Sequence, residues 1–338
     1  MSGDARAAAS SSPEHEFGGL GSGDPGLDLK PDETMRHLII GAGPAGVVAA
    51  ETLRRHDPSS EIVILGDEPE PPYSRMALPY LLAGNVDESG TYLRRGDAHF
   101  ERLAVDVRRA RASGIDTADR TVITSEGATV AYDRLLVATG AHPIKPPVEG
   151  IDSEGVENCW TLTDARRILA GAQPGDRVVL MGAGFIGCIV LEALAARGVD
   201  LVVVEMANRM LPRMMDETGG AMIARWCESK GVAVRTGTRV TEIARSNGSV
   251  TLAVDGGDPI EADLVVCATG VSSNVDFLDG TGIDCDAGIL VDHRLRTSAD
   301  GVYAAGDVAQ GPDFSTGRRE VHAIQPTAVE HGLSLIHI

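Results

Sequence analysis

Residues 37–50 read HLIIGAGPAGVVAA, an apolar run that ends in glycines and continues into small residues. This order predicts a buried strand, a tight turn and a helix. Gly41 would make the turn, Gly43 would let the backbone approach a pyrophosphate, and Gly46 would let helix and strand pack closely. The N-terminus of the helix would face the negative charge. The motif therefore predicts a dinucleotide site, although one such turn also occurs in proteins that bind nothing.

A second copy of this pattern occurs at residues 176–195, where the apolar run RVVLM leads into GAGFIG and a helical segment. A third element places Glu205 at a strand end, 23 positions after Gly182 (205 − 182). That spacing is close to the roughly 20 residues expected for a carboxylate that binds a ribose hydroxyl. A glutamate there favours NADH over NADPH, because it would repel a 2′-phosphate. Arg209 would soften this preference if it reached the phosphate, but we interpret it as a loop arginine.

Charged residues follow the next predicted strand of the first unit, residues 61–65. Asp67 or Glu68 would bind a ribose hydroxyl there, and the alternative for both is a solvated loop charge. Residues 71–80, PPYSRMALPY, contain several prolines and are not expected to form a long regular helix. Arg75 in this segment is a candidate ligand contact or, equally well, a surface arginine of a loop.

Further strands are predicted along the rest of the chain. Alternating runs over residues 105–130 predict a small antiparallel sheet inserted after the first unit. Residues 132–140 and residues 262–270 each predict a buried strand that ends in Ala-Thr-Gly. A later apolar strand leads into Gly306 and Asp307, whose carboxylate would accept a hydrogen bond from a polyol chain. Without that context, a Gly-Asp pair is more often an ordinary turn.

A final helix is predicted to start near residue 324, with Pro326 in its first turn. The free N–H groups and the positive dipole end of such a helix suit an anionic ligand atom.

Composition and charge narrow the class of protein. A chain of 338 residues is long enough for about two domains, each with its own core. The hydrophobic content of 43% and the 40 glycines fit an α/β protein with many tight turns. The formal net charge of −19 argues against a nucleic-acid partner. No run reaches the roughly 18 apolar residues that a membrane-spanning helix needs.

The five cysteines show no spacing typical of a metal site or a redox dithiol. We interpret them as reduced, mostly buried thiols and expect no metal site. Residues 1–34 are rich in Ala, Ser, Gly, Asp and Glu and lack the apolar core of a signal peptide. We therefore expect a disordered leader and a cytoplasmic protein.

In this order, the motifs resemble the FAD-dependent pyridine nucleotide-disulfide oxidoreductase superfamily, and within it the NAD(P)H reductases of the ferredoxin, rubredoxin and nitrite reductase branch. The resemblance implies an α/β fold with two Rossmann-like dinucleotide-binding domains, each with a parallel sheet plus a small antiparallel sheet. The FAD-binding domain would be interrupted by an inserted NAD(P)H-binding domain. We place the leader at residues 1–34, the first part of the FAD-binding domain at 35–149, the NAD(P)H-binding domain at 150–270 and the second part of the FAD-binding domain at 271–338.

The resemblance also implies which residues hold the cofactors. It assigns Gly41, Gly43, Gly46 and Asp307 to FAD. The further cofactor-binding candidates of these units are Pro44, Ala45, Asp67, Glu68, Arg75, Ala138, Thr139, Gly140, Gly306, Gln325, Pro326 and Thr327. The last three should lie under the pyrimidine end of the flavin. The resemblance assigns Gly182, Gly184, Gly187 and Glu205 to NADH, with NADPH less favoured. Phe185, Ile186 and Gly270 are further cofactor-binding candidates.

Some positions depart from the pattern of the relatives. Met76 stands where the coenzyme A-disulfide reductases and NADH oxidases carry a redox cysteine, and a thioether cannot form the thiolate that attacks a disulfide or a peroxide. Tyr80 and Ile189 replace a lysine and a glutamate that often face each other in the ferredoxin-reductase-like branch. Both charges are lost together, which leaves no unpaired buried charge.

The end of the chain is a further departure. The relatives continue past the last helix into a C-terminal interface domain, through which they often dimerise. This chain ends in LSLIHI, so we expect the interface domain to be missing and the sequence to be truncated.

These features predict an oxidoreductase that takes hydride from NADH onto flavin and passes electrons to an acceptor such as an iron–sulfur protein. One alternative is an NADH oxidase or a coenzyme A-disulfide reductase-like enzyme, which Met76 disfavours. Another is a non-catalytic flavin-binding interaction protein, against which the intact cofactor motifs argue. No catalytic acid or base is assigned, because we interpret His322 and His331 as solvated or helix-surface histidines.

The overall acidity disfavours docking to an acidic ferredoxin, but three arginine pairs would supply local positive charge. These are Arg94–Arg95, Arg108–Arg109 and Arg318–Arg319.

Overall fold

The computed structural model describes residues 34–334 with the exception of Asp97 and Asn247. The predicted leader, apart from Thr34, and the last four residues of the chain lie outside the described residues. None of the helices in the described part combines the length and the apolar character that crossing a bilayer requires.

The strands in chain order are β1 (Arg36–Ile40), β2 (Glu61–Gly66), β3 (Val105–Arg109), β4 (Ala112–Asp116), β5 (Thr121–Thr124), β6 (Thr129–Ala131), β7 (Arg134–Val137), β8 (Ala141–Pro143), β9 (Val156–Asn158), β10 (Arg177–Met181), β11 (Asp200–Val204), β12 (Ala233–Arg235), β13 (Val240–Ser246), β14 (Ser249–Val254), β15 (Ile260–Ala262), β16 (Leu264–Cys267), β17 (Val271–Ser273), β18 (Ile289–Leu290), β19 (Val302–Ala304), β20 (Ala309–Pro312) and β21 (Arg319–Val321). The α-helices are α1 (Pro44–His56), α2 (Leu78–Leu82), α3 (His99–Arg102), α4 (Leu162–Gly171), α5 (Phe185–Ala196), α6 (Glu217–Ser229) and α7 (Gln325–Ser334). Short 3₁₀ turns occur at Arg75–Ala77, Glu88–Thr91, Asp276–Leu278 and Gly306–Val308.

The first sheet has five parallel strands in the order β19-β7-β1-β2-β3. Its central strand β1 ends in the apolar run of residues 38–40, in which Leu38 and Ile39 are fully buried. A parallel strand covered on both faces requires such a run rather than an alternating pattern. The strand thus forms where residues 37–40 predict it.

The second sheet repeats this arrangement with five parallel strands in the order β12-β11-β10-β16-β9. Its central strand β10 leads into the second glycine turn, as β1 leads into the first. Two antiparallel three-stranded sheets, β4-β5-β6 and β13-β14-β15, accompany the parallel sheets. The predicted fold class, two parallel sheets each with a small antiparallel sheet, is confirmed.

The chain crosses between the two sheets twice, and the crossings lie side by side. Strands β8 and β17 pair with each other as a two-stranded antiparallel ribbon. All strands of the second sheet lie between β8 and β17 in the sequence. This is compatible with an insertion over residues 150–270, and these domain boundaries stay a prediction.

One strand assignment in the predicted antiparallel insertion is wrong. Residues 105–130 were expected to form a single antiparallel sheet, but β3 pairs parallel with β2 at the edge of the first sheet. Only the first residue of β3, Val105, is buried, and the rest of the strand is exposed. An edge strand of this kind carries no sequence pattern that distinguishes a parallel from an antiparallel partner. The expected strand over residues 262–268 is also divided in two, because β15 and β16 belong to different sheets.

Helices α1 and α7 approach each other closely over the first sheet. A Cβ added to Gly332 would lie 2.7 Å from the backbone oxygen of Ala45 and 3.1 Å from the backbone nitrogen of Ala49. Only a glycine allows such an approach of two helix backbones. The contact places the C-terminal half of α7 against the first turns of α1, directly after the first glycine turn.

Candidate functional site

The first glycine turn has the geometry that its sequence predicts. Gly41 has φ +115°, and a Cβ there would lie 2.1 Å from the backbone oxygen of Ala138. A Cβ on Gly46 would lie 2.0 Å from the oxygen of Gly41, so strand and helix meet without room for a side chain. Gly43 caps the N-terminus of α1, and no described residue beyond its immediate chain neighbours comes within 4 Å of the position its Cβ would take. The open space at Gly43 gives a ligand access to the helix N-terminus, where Pro44 is the first residue.

Three neighbouring parallel strands bring the other turns to this point. β1, β7 and β19 are adjacent in the sheet, so their carboxyl ends share one edge. The turns that follow them carry Gly41, Thr139 with Gly140, and Gly306 with Asp307. In open α/β sheets, ligands bind at the carboxyl ends of the strands, where the strand order switches sides. Residues far apart in the sequence therefore line one cleft, which includes residues 41–45, 138–141 and 305–307.

The Asp307 carboxylate is partly buried in this cleft. Burial raises the pKa of the Asp307 carboxyl above its ordinary value, and the positive charge of Arg75 opposes that shift. Its backbone oxygen accepts a 2.8 Å hydrogen bond from the Ser273 hydroxyl. No described residue donates a hydrogen bond to its side chain, so the carboxylate is free to accept one from a ligand hydroxyl.

A network of backbone and side-chain hydrogen bonds joins the turn after β7 to Asn274. The Thr139 hydroxyl donates to the backbone oxygen of Asn274 at 3.0 Å, and the Asn274 amide donates to the oxygen of Thr139 at 2.8 Å. These reciprocal bonds hold the Ala-Thr-Gly turn, in which Gly140 has φ +67°. The turn is therefore fixed before any ligand binds.

The start of α7 closes one side of the cleft. Gln325 and Ala328 line it, and the Gln325 side-chain oxygen accepts a hydrogen bond from the Ser74 hydroxyl. Pro326 is exposed, and neither Pro326 nor Thr327 lines the cleft with its side chain. What α7 offers a ligand is its N-terminal backbone, whose first N–H groups have no partner within the helix.

The turn after β2 uses its two acidic residues differently. Glu68 accepts a 2.6 Å hydrogen bond from the Arg75 guanidinium and another from the Tyr73 hydroxyl. Within the described part of the chain, Asp67 makes only a 3.5 Å ion pair with Arg111, and half of its side chain is exposed. Both line the cleft. Of the two candidate ribose ligands, Asp67 has the freer carboxylate.

Arg75 connects the first sheet to the segment that leads into α4. Its guanidinium donates to the backbone oxygen of Trp160 at 2.7 Å and to the Tyr73 hydroxyl at 2.9 Å. It also lies 5.2 Å from the centre of the Trp160 ring. The Tyr73 hydroxyl in turn accepts a hydrogen bond from the backbone N–H of Leu162 at 3.2 Å. Tyr73 and Trp160 are thus parts of the site that no sequence motif indicated, because the contact spans 85 positions.

The second glycine turn copies the first. Gly182 has φ +104°, and a Cβ there would lie 2.5 Å from the oxygen of Ala268. A Cβ on Gly187 would lie 2.1 Å from the oxygen of Gly182, and Gly184 caps α5 with open space around it. The expected contact residue Gly270 has φ +113° in the turn after β16.

The Glu205 carboxylate lies against this turn. It accepts a 2.7 Å hydrogen bond from the backbone N–H of Ala183, inside the glycine motif, and a 2.8 Å bond from the N–H of Ala207. A carboxylate has about four acceptor positions, so two remain for ribose hydroxyls. Arg209 makes all its side-chain hydrogen bonds within the loop over residues 208–215. It is a loop arginine, in agreement with its interpretation from the sequence.

The cleft is bounded on its far side by helix α5. Phe185, Ile186, Ile189 and Val190 line it, and Phe185 is 44% exposed. The other residues expected at the nucleotide site lie outside this cleft, at the second turn: Gly182, Gly184, Gly187, Glu205 and Gly270. The expected residues thus form two groups, with the first turn of α5 between them.

Among the described residues, two sulfur-containing side chains line the cleft. Met76 lines it and is 43% exposed. Cys159 lines it too, but it is buried, and burial raises the pKa of its thiol to about 12. This thiol is protonated at neutral pH and is a poor nucleophile. Tyr80 is 59% exposed and does not line the cleft.

His331 differs from its interpretation as a helix-surface histidine. It is partly buried, and its Nδ1 accepts a 3.2 Å hydrogen bond from the backbone N–H of Gly306. His322, in contrast, is exposed and pairs with Asp313 at 3.1 Å. The sequence holds no signal for the His331 contact, because it depends on how α7 packs beside the turn after β19.

These features fit FAD at the first site. The turn leaves an open cradle at Gly43 that a Cβ there would enter, and α1 points its N-terminus into it. Asp307 offers a polyol chain a carboxylate that no described residue pairs with.

Comparison with known proteins is consistent with this geometry. The profile of the family described as pyridine nucleotide-disulphide oxidoreductase matches residues 35–332. The "NADH-dependent phenylglyoxylate dehydrogenase subunit epsilon" of Aromatoleum evansii is 34% identical over 301 residues, which cover 89% of this chain and 71% of that protein. The "Biphenyl dioxygenase system ferredoxin--NAD(+) reductase component" of Paraburkholderia xenovorans is 32% identical over 294 residues, covering 86% of this chain and 72% of that protein.

Solved structures give the same result. A crystal structure of the "covalent putidaredoxin reductase-putidaredoxin complex" superposes with a TM-score of 0.85 at 27% identity, covering 89% of this chain and 74% of that chain. Relatives named as ferredoxin reductases and as NADH oxidases both occur among the matches.

Proposed function

The chain belongs to the pyridine nucleotide-disulphide oxidoreductase family, and from this premise we propose that it passes electrons from NADH, through FAD, to an iron–sulfur protein of the ferredoxin type. The family and the named relatives make it an FAD-dependent NADH oxidoreductase. The proposal concerns the acceptor. It is supported by relatives named as ferredoxin reductases and by the side chains that line the cleft.

The chain's own groups would hold FAD in distinct ways. The N-terminus of α1 and the open backbone at Gly43 would bind the pyrophosphate, and Asp307 would accept a hydrogen bond from the ribityl chain. The N-terminal N–H groups of α7 would face the pyrimidine end and stabilise negative charge there. FAD, when bound, supplies the hydride acceptor and releases electrons onward.

The sulfur-containing side chains in the cleft argue against a mechanism that uses a reactive cysteine. Met76 has no thiol, and the Cys159 thiol has a pKa raised to about 12 by burial. Neither side chain supplies the thiolate that attack on a disulfide or a peroxide requires. No described side chain in the cleft could therefore carry electrons from the flavin through a covalent sulfur intermediate. This favours direct electron transfer from the flavin to an external acceptor.

Nucleotide preference in this proposal comes from Glu205. Its carboxylate would accept hydrogen bonds from the adenosine ribose and repel a 2′-phosphate. Arg209 is held by the backbone oxygens of Met215 and Pro212 and by Asn208, so it is not poised to pair with that phosphate. We therefore propose NADH as the preferred donor.

An anaerobic titration of the purified flavoprotein tests the proposal. NADH should bleach the flavin absorbance, and NADPH should do so at much higher concentration. The reduced protein is then mixed separately with a [2Fe–2S] ferredoxin coupled to cytochrome c, with oxygen, and with coenzyme A disulfide. Ferredoxin-dependent cytochrome c reduction should exceed oxygen consumption, and no thiol should form.

Two results would contradict the proposal in different ways. A flavin that NADH does not bleach would overturn its function as an NADH reductase. Thiol release from coenzyme A disulfide, or oxygen consumption faster than ferredoxin reduction, would assign another acceptor.

A further inference from the structure

His331 on α7 contacts the turn that carries Asp307. The Nδ1 atom of its ring accepts a 3.2 Å hydrogen bond from the backbone N–H of Gly306, the residue directly before Asp307. A neutral imidazole with its proton on Nε2 has an acceptor at Nδ1, whereas an imidazolium has none. The contact therefore requires an unprotonated Nδ1.

The residues around this hydrogen bond are closely packed. Gly306 has φ +76°, and a Cβ there would lie 3.2 Å from the Ala45 methyl group and 3.5 Å from that of Ala328. Gly332, next to His331, lies so close to α1 that its Cβ would be 2.7 Å from the oxygen of Ala45. Helix α1, helix α7 and the Gly306 turn thus meet at one junction, and the His331 ring is a polar link within it.

We propose that His331 is a positioning residue of the flavin site, whose neutral ring ties the Gly306–Asp307 turn to α7, so that protonation of the ring releases the turn and weakens retention of FAD in acid. The inference rests on the assignment of FAD to this cleft. Protonation would place an Nδ1–H against the Gly306 N–H, two donors with no acceptor between them. The turn would move, and the Asp307 carboxylate would move with it.

The direction of the pH effect follows from burial. Burial lowers the pKa of His331 below its ordinary value of 6.5, and the positive charge of His322 lowers it further. The neutral, accepting form therefore persists through neutral pH and is lost only as the pH falls below that ordinary value. FAD affinity should be constant at neutral pH and should decline on the acid side.

Other titratable and charged groups face this junction from the elements packed against α7. His322 is paired with Asp313 before the helix, and the pKa of the Asp307 carboxyl is raised by burial. On α1, Glu51 is held by Arg94 and His99. The remaining charged side chains are Glu330 on α7 itself and Arg54, Arg55 and His56 at the far end of α1. The test must therefore separate His331 from Asp307 and His322.

Two substitutions make that separation. His331→Asn places an oxygen acceptor at the same distance from Cβ as Nδ1, and this oxygen does not titrate. His331→Leu keeps a similar bulk but offers no acceptor. Glu330→Asn, on the exposed side of α7, controls for the lower helix propensity of asparagine.

The measurement is the dissociation constant of FAD for each purified protein, from the fluorescence of released FAD between about pH 5 and pH 8. At neutral pH the Leu variant should bind FAD about tenfold more weakly, because a donor is left without its partner. The Asn variant should bind within about threefold of the unaltered protein. The FAD affinity of the unaltered protein should fall about tenfold as the pH is lowered toward 5, and that of the Glu330→Asn control should fall in the same way. The FAD affinity of the His331→Asn variant should not change with pH.

Each contrary result is decisive. An Asn variant that retains the acid loss would assign the pH effect to Asp307 or His322, and a Leu variant that binds FAD normally would remove the positioning role. An Asn variant as weak as the Leu variant would show that the ring matters for packing rather than as an acceptor. Failure of the unaltered protein to bind FAD at neutral pH would instead overturn the proposed function together with this inference.

Discussion

Gly41 and Gly43 lie two positions apart, yet their backbones impose opposite constraints. A Cβ on Gly41 would meet the oxygen of Ala138 at 2.1 Å, and its φ of +115° is strained for any other residue. Gly43 has φ −77° and open space where its Cβ would be. The fold requires the first glycine, and the proposed ligand would require the second.

This difference predicts opposite results for two alanine variants. Gly41→Ala should destabilise the protein by about 2–4 kcal/mol or prevent folding, since a backbone atom must move. Gly43→Ala should leave the melting temperature of the FAD-free protein nearly unchanged and still weaken FAD binding, because a methyl group occupies the pyrophosphate position. Calorimetry of the FAD-free proteins and an FAD titration check both. Equal destabilisation by the two alanines would contradict this assignment.

Glu205 allows a test of nucleotide preference with little structural disturbance. Its carboxylate also holds the N–H groups of Ala183 and Ala207, so alanine there would loosen the glycine turn. Glu205→Gln keeps an acceptor, removes the charge and adds an N–H donor for a phosphate. We expect kcat/KM for NADH to fall and that for NADPH to rise, changing their ratio by about tenfold.

Steady-state rates with both nucleotides and one artificial acceptor give this ratio. Glu126→Gln, an exposed substitution in the turn between β5 and β6, is a control for the loss of one negative surface charge. An unchanged NADH-to-NADPH ratio in the Glu205 variant would remove Glu205 from the specificity site.

At the scale of elements, the contact of α1 with α7 determines whether alanine at Gly332 raises or lowers the free energy of unfolding. Alanine normally stabilises a helix by about 1 kcal/mol relative to glycine. At Gly332 the added methyl would meet backbone atoms of Ala45 and Ala49 at 2.7 and 3.1 Å. We expect Gly332→Ala to lower the free energy of unfolding by about 1–3 kcal/mol, because the clash outweighs the propensity gain.

Urea denaturation measures the effect, and Glu330→Ala on the exposed side of the same helix is the matched control. The control should be neutral or slightly stabilising. Stabilisation by Gly332→Ala would mean that α7 does not pack against α1 at this distance.

Elements with a strong local signal were predictable, and contacts between distant elements were not. The glycine turns, β1, β10 and Glu205 follow from apolar runs and from the spacing of a few residues. Strand β3 was misassigned because an edge strand buried at only one residue leaves no pattern. The bond from Arg75 to the oxygen of Trp160 and the bond from Gly306 to His331 join elements whose relative placement depends on the packing of the whole chain.

For the whole molecule, net charge opposes an acidic partner at long range. With a formal net charge of −19, the chain as a whole repels an acidic protein at distances where single arginine pairs have little effect. Of the three arginine pairs, Arg94 is held by Glu51 and Arg108 by Asp106. Local positive charge in these pairs is therefore partly neutralised.

We expect the reduction of an acidic [2Fe–2S] ferredoxin to accelerate several-fold when the salt concentration rises from about 0.02 to about 0.2 M, because screening weakens the repulsion. Stopped-flow rates at these concentrations check this. Ferricyanide is unsuitable as a control because it is itself an anion, so a neutral quinone should serve, and its rate should hardly change. A ferredoxin rate that falls with salt would show that local positive patches govern docking.

The paired crossings between the two sheets have a mechanical consequence. Two sheets joined by a single linker could twist about it. Here two strands, β8 and β17, connect the sheets and are hydrogen-bonded to each other. A two-stranded ribbon bends across its flat face more readily than it shears along its strands. Movement of the second sheet should therefore be a rotation about one hinge axis, and α5 would approach or leave the cleft along a fixed arc.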